Sequence, residues 1–274
     1  MAQDFAHRNY SHTQRKVTSG SGARTPRDHA RRTLSQNFLV NRDAVQLMVA
    51  VAEPTGLVLE PGAGEGVLTT ELARRGARVT AYEIDPLLAM KLSARTRRES
   101  GIRVVRGDFT KARAPREPFA VVGNIPYSVT AKIVDWCLTA PALTSATLLT
   151  QREYARKRTG DYGRWSLVTA ETWPWFTWEL HGRVDRTSFR PVPSVDSAIL
   201  RIVRRPEPLV RERNSYLELV RTGFTGLGGS VRASLRTRYQ GVDEALAVAG
   251  IDRDTVVAYV HPDQWVTLHQ QLTA

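Results

Sequence analysis

Short apolar runs of strand length recur through the first two thirds of the chain, and helical spacing fills the gaps between them. Val58 and Leu59 lead a run that breaks at Gly62, Gly64 and Gly66, and further runs fall at 77–85, 103–106, 119–122 and 146–149. Ahead of these runs Val45, Met48, Val49 and Ala52, and between them Leu68, Leu72 and Ala73, set apolar side chains at helical spacing, and 86–98 and 131–138 are predicted to be helical as well. Strands that alternate with helices predict a parallel sheet covered on both faces, the doubly wound α/β class. The aromatic run 173–178 predicts a core strand with rings on both faces, and the alternation at 197–203 predicts a strand that closes the sheet. After Pro206 and Pro208 the strand period stops. Short helices at 214–223, 230–239, 242–249, 253–259 and 262–272 predict a small all-helical C-terminal domain.

The first 33 residues carry no such pattern. They hold seven Lys or Arg against two Asp and few large apolar groups, which predicts a disordered basic arm at 1–33 ahead of domains at 34–205 and 206–274. The arm has a solvated-tail reading beside a phosphate-tracking one. Over 274 residues the formal net charge is +12, so a polyanion is the first partner to expect. Only five of the 39 basic residues are lysines, a bias that coding composition can produce as well as recognition. Cys137 is the single cysteine, which excludes an internal disulfide and a thiolate metal cluster; its helical, apolar surroundings predict a buried thiol. No apolar run reaches membrane-spanning length and no signal-peptide core is present, so the expectation is a cytoplasmic protein with no membrane partner.

The glycine-broken strand is where the chemistry starts. Glycines at alternate positions permit φ > 0 and bring a ligand against bare main chain, although a purely structural strand-to-helix turn would look the same. Val67 stands where a dinucleotide fingerprint wants a third glycine, and the Lys and Ser/Thr of a phosphate loop are missing. Glu60 would repel a pyrophosphate but suits an ammonium or sulfonium. Glu83 lies near the end of the next strand, where a carboxylate in such sheets accepts from ribose hydroxyls; Asp85 competes for the role. Asp108 follows the third strand and suits an adenine amino group, with Phe109 beside the ring, or it is a plain loop aspartate.

The fourth strand delivers Asn124-Ile125-Pro126-Tyr127. An exocyclic amine on an aromatic base is a poor nucleophile because its lone pair is delocalised into the ring. An Asn carbonyl and a main-chain carbonyl can hold both N–H groups and favour a pyramidal nitrogen. Pro126 biases Ile125 towards an extended backbone, and Tyr127 offers a ring face to a base, worth about 1–3 kcal/mol. A buried structural turn is the bland alternative. Further on, 151–158 is a basic helical run that reads as a solvated face or a phosphate contact, and Arg232, Arg236 and Arg238 are candidates for lining an RNA cleft.

Six stretches, Ser35 to Leu39, Leu59 to Gly66, Glu83 to Asp85, Gly107-Asp108, Asn124 to Tyr127 and Phe189 to Ser197, together resemble the ribosomal RNA adenine-N6 methyltransferases, a family that includes the Erm macrolide-resistance and KsgA enzymes. The resemblance covers 34–274. It implies a Rossmann-like methyltransferase sheet using S-adenosyl-L-methionine and no metal. Carried over position by position, Asn37 and Leu39 would contact the cofactor's methionine end, Gly62 its backbone, Glu83 its ribose and Asp108 its adenine. Asn124 would face the target amine. Phe189 would join Tyr127 in sandwiching a base flipped from its stack, an extrusion that costs a few kcal/mol. Asn-Ile-Pro-Tyr, Ser-Gln-Asn-Phe and Tyr162 to Leu167 favour the Erm branch, which implies mono- or dimethylation of an adenine in 23S ribosomal RNA, in unassembled or precursor form, by a monomer. A KsgA-like 16S enzyme, a protein-glutamine methyltransferase and a non-catalytic nucleic-acid binder of the same fold are the alternatives.

Overall fold

Val58 and Leu59 lose nearly all contact with water because the run they belong to becomes a central strand with helices on both faces. The structure is a computed structural model that describes residues 37–273; the arm expected at 1–33, and Ser35-Gln36, lie outside it. The strands are β1 (Phe38–Leu39), β2 (Leu57–Pro61), β3 (Arg78–Glu83), β4 (Ile102–Arg106), β5 (Phe119–Asn124), β6 (Leu143–Gln151), β7 (Phe176–Val184), β8 (Phe189–Arg190) and β9 (Ser197–Arg204). Seven of them form one sheet in the order β4-β3-β2-β5-β6-β9-β7, parallel from β4 to β6, with β9 antiparallel to both its neighbours. The strand expected to close the sheet therefore sits one place in, and β7 takes the edge. An antiparallel β9 joins β6 and β7 by a ladder longer than the aromatic run alone predicts, since β7 extends to Val184.

Helices α1 (Arg42–Ala52), α2 (Val67–Arg74) and α3 (Pro86–Arg95) contribute to the core on one face. Helices α4 (Thr130–Thr139) and α5 (Arg152–Arg158) contribute to the other, where Cys137 is fully buried. Asn41 caps α1 with its side chain and Asp85 caps α3 ahead of a proline at the first turn, so both helices start where side-chain acceptors satisfy free N–H groups. The strand order reverses between β2 and β5, and at such a point the loops after the two strands diverge and open a crevice.

The aromatic run 173–178 is not one strand. Helix α6 (Leu167–Thr172) ends at Trp173, and in β7 Phe176 and Trp178 share a buried face as period 2 requires. Trp173 and Trp175 pack both on that sheet core and toward α7 (Arg213–Phe224), α8 (Val231–Leu235), α9 (Val242–Val248) and α10 (Pro262–Leu272), whose own core is centred on Tyr216, Leu235 and Trp265. Segment 253–259 forms only a short 3-10 turn at Val257–Tyr259. The described residues 37–273 all belong to one compact unit.

Candidate active site

At the reversal point, β2 runs into a turn in which Gly62, Gly64 and Gly66 all take φ between 55° and 74°. Their surroundings differ. A Cβ on Gly66 would overlap the Leu92 side chain of α3, so the third glycine serves helix packing rather than a ligand. A Cβ on Gly64 would lie 3.1 Å from the Phe38 ring, which shows that the segment containing β1 crosses this turn as a strap. One added at Gly62 would stand 3.6 Å from the Asn124 carbonyl oxygen, which places the β2 turn and the Asn-Ile-Pro-Tyr loop against each other.

Glu83 ends β3 with its carboxylate turned into the same turn: Oε2 accepts from the Gly64 N–H at 2.7 Å and Oε1 from the Asp85 N–H at 2.8 Å. Burial pushes its pKa up, against the pull of those N–H groups. Each oxygen keeps a second lone pair for a hydroxyl donor. Asp85, the competitor, spends Oδ1 on capping α3 through the Leu87 and Leu88 N–H groups. Asp108 is half-buried after β4, and its Oδ1 accepts from the Thr110 N–H at 2.9 Å and hydroxyl at 2.8 Å, contacts that hold its pKa down. Among the described residues its Oδ2 makes no such bond. Phe109, expected beside a ligand ring, is buried between Tyr82 and Trp136, centroids 5.4 and 4.5 Å away.

Asn124 ends β5, and its Nδ2 donates to the Asn37 carbonyl at 2.8 Å. That bond fixes which way the amide faces, leaving Oδ1 as an acceptor. The Pro126 carbonyl already accepts from the Val129 N–H at 3.1 Å. Tyr127 is half-buried, and its hydroxyl shares a 2.6 Å hydrogen bond with Ser197 at the start of β9. Burial raises the phenol's pKa, so the ring is held as a neutral plate.

Phe189 departs from the expected arrangement. Its ring is fully buried among Leu39, Val45 and Ile199, and β8 pairs with β1 so that Leu39 opposes Phe189. In this conformation it anchors the loop and shows no face to a base. An aromatic flanked by prolines and a short extended strap is drawn inward because the core offers it more apolar area than the crevice does. Leu39 is buried in the same core, so only its main chain is left for a ligand. Glu60 also differs: rather than facing a cation, its buried carboxylate accepts from the Thr69 hydroxyl at 2.6 Å beneath the turn. The arginines expected in an RNA cleft are occupied within the helical part, Arg232 and Arg236 by Asp243 and Arg238 by Glu218.

Gly62, Glu83, Asp108 and Asn124 thus stand on one edge of four adjacent parallel strands. Sequence reasoning missed the Ser197 partner of Tyr127 and the strap's carbonyl on Asn124, contacts across 70 and 87 residues for which a local pattern gives no sign.

A family model described as ribosomal RNA adenine dimethylase matches residues 27–274. An rRNA adenine N-6-methyltransferase from Aeromicrobium erythreum is 53% identical over 258 residues, 92% of this chain and 76% of the relative. The mycinamicin-resistance protein MyrB of Micromonospora griseorubida is 38% identical, covering 90% of this chain and 80% of that protein. Among solved structures, the 23S rRNA methyltransferase ErmE superposes with a TM-score of 0.84 at 51% identity, across 87% of this chain and all of that one.

Proposed function

The chain belongs to the ribosomal RNA adenine dimethylase family, and on that premise we propose that it methylates N6 of one adenine in 23S ribosomal RNA, at the cost of macrolide binding to the ribosome so modified. It is an rRNA adenine-N6 methyltransferase of the Erm branch. The observation that carries the proposed site is Asn124: its amide is oriented by the Asn37 carbonyl and stands next to the glycine turn that borders the crevice.

The residues present fit S-adenosyl-L-methionine. Gly62 offers bare main chain, Glu83 a desolvated carboxylate with lone pairs to spare, and Asp108 an uncommitted Oδ2. Asn37 and the main chain of Leu39 lie on the strap above. When bound, the cofactor supplies a methyl carbon made electrophilic by a sulfonium. Everything else falls to the protein and the RNA.

Asn124 Oδ1 accepts one N6–H of the extruded adenine, and the Ile125 carbonyl accepts the other, since that of Pro126 is engaged. Two acceptors on one amine pull its lone pair out of conjugation and aim it along the crevice. With both N–H groups held by these acceptors, the N6 lone pair would be free to take the methyl group that the bound cofactor would supply, the bonding pair remaining with its sulfur. N6 then carries a positive charge and loses a proton to solvent, so no base of unusual pKa is needed. Tyr127, fixed through Ser197, stacks on the base. The RNA is free or precursor 23S RNA, because a base must leave its stack to reach this depth.

Transfer of labelled methyl from S-adenosyl-L-methionine to purified 23S and 16S RNA tests the proposal, with label expected in 23S adenine alone. Asn124→Ala is expected to lower the transfer rate about 100-fold or more, the usual loss when one preorganised polar group is removed, with cofactor affinity within a fewfold of wild type. Label in 16S RNA, or an Asn124→Ala enzyme at full rate, refutes it.

A further inference from the structure

Beyond the crevice, at the far side of Tyr127, lies a second concavity of about 640 Å³ that the chemistry above does not use. It begins where the acceptor site stops. Gln151, two residues past the Leu149 that pairs with Asn124, lines it, and Ser197, the partner of Tyr127, pairs with Gln151 on β9. With strands about 4.8 Å apart, this cleft is one or two nucleotide lengths from the target amine.

Its walls hold Arg152 and Arg156 from α5, and Arg183 and Arg186 from the end of β7 and the turn after it. These cations are not equally available. Arg183 is paired with Asp196 at 2.7 Å and with Asp185 at 3.6 Å. Arg156 is paired with Asp161, and its guanidinium lies 4.0 Å over the Tyr162 ring. Arg152 and Arg186 make no side-chain ion pair among the described residues. Glu153, Asp185 and Asp196 also line the cleft, so together with Asp161 the acids match the arginines one for one. On a chain of net charge +12, this concavity is locally neutral.

What holds Arg156 copies what RNA would offer it. Asp161 supplies an anionic oxygen pair as a phosphodiester does, and Tyr162 supplies a flat π-face as a base does. Both come from an exposed turn closed by Gly160 and Gly163, each at positive φ. An exposed pair of this kind contributes little net stability, so a phosphate that also reaches Arg152 and Arg186 can displace it, whereas one that meets Arg156 alone gains nothing net. We infer that the cleft is a subsite for the backbone phosphate beside the flipped adenine, and that Asp161 is a specificity residue that keeps Arg156 from RNA lacking the cognate approach.

The inference rests on the RNA-methyltransferase reading, and the test separates the two. Binding of an unrelated single-stranded RNA oligonucleotide and of a 23S fragment is measured against salt for wild type, Asp161→Asn, Arg156→Ala and the double variant, with methyl transfer to the fragment followed in parallel. Asp161→Asn is expected to bind the unrelated strand up to about fivefold tighter, with the logarithmic salt slope steeper by about 0.7, one added phosphate contact. Methyl transfer to the 23S fragment by the wild-type enzyme serves as the check on the underlying function. In the Arg156→Ala background the Asn substitution is expected to change nothing. Unaltered affinity and slope in Asp161→Asn, or a gain that survives without Arg156, overturns the inference. Absence of transfer by the wild-type enzyme sinks the underlying function instead, and leaves the binding comparison to be read on its own.

Discussion

At the scale of single residues, the buried carboxyls under the crevice make a prediction about pH. Glu60 is 2% exposed, and burial pushes its pKa up to about 8, with the neighbouring Glu83 charge adding to the rise and the Thr69 hydroxyl opposing it. A carboxyl whose folded pKa lies above its unfolded value holds its proton more tightly in the native state. Its contribution to stability is therefore complete below the unfolded value of 4.5 and is lost as pH rises through about 8. Glu83, raised in the same direction, adds to the trend. Gln at 60 can still accept from Thr69 and cannot ionise. Thermal melts of Glu60→Gln and wild type between pH 5 and 9 should diverge in favour of the variant as pH climbs, then run parallel above about 8; a constant gap would show that Glu60 does not titrate in this range. The same residue shows where local reading stops. Its place ahead of the glycines was legible, but the alternation of the strand, which points it at Thr69 rather than into the crevice, needed the position of α2. Asn124 was legible for the opposite reason: a strand end followed by Ile-Pro leaves a side chain at the edge whatever the rest of the fold does.

At the scale of elements, strands and helices with a clean period were readable from the chain, and those set by distant partners were not. β2 to β6 and α1 to α4 follow from period 2 and period 3.6 because both faces of the sheet are buried and no other pairing hides as much apolar surface. The inward place of β9 depends on its ladder with β6, between residues such as Ser145 and Val203 that lie far apart in the chain, and the two-residue ladder of β1 with β8 and the withdrawal of Phe189 depend on the still more distant pairing of Phe38 with Arg190 and Leu39 with Phe189. Gly223 in α7 is a case of helix packing that a propensity scale misreads, since Ala is ordinarily the better helix former. Here a Cβ would overlap Trp265 of α10, which is fully buried and cannot swing aside. Gly223→Ala should cost about 1–3 kcal/mol, the range for overpacking a filled core, read as a lower denaturant midpoint with an unchanged slope. A variant as stable as wild type would mean that α7 and α10 separate more easily than their packing indicates.

For the whole molecule, the change of architecture near Pro206 does not mark a break in the packing. The helical part packs onto α6 and its flanks: the Tyr216 hydroxyl donates to the Ala170 carbonyl, Trp173 Nε1 to Asp263, and the Trp165 main-chain N–H to the Ala258 carbonyl at 2.7 Å. Trp165, Trp173 and His261 stack edge to face across the same seam. A protein ended after Arg205 would bare those tryptophans together with Ala170 and leave their hydrogen bonds unmade. Such a fragment is expected to be insoluble or to bind a hydrophobic dye strongly, whereas one that unfolds cooperatively near the full-length midpoint would show that the helices only ride on the sheet. That seam also bears on substrate reach, because Arg164, which hydrogen-bonds Tyr259 across it, lies in the stretch next to Asp161 and Tyr162. One further property follows from the sealing of Cys137 between α4 and the sheet, where burial drives its thiol far above the usual range. Under native conditions burial closes this thiol to an alkylating reagent, so a single cysteine introduced at any exposed position becomes a uniquely addressable attachment point for a dye or spin label, and reaction at Cys137 itself serves as a clock for how often the interior opens.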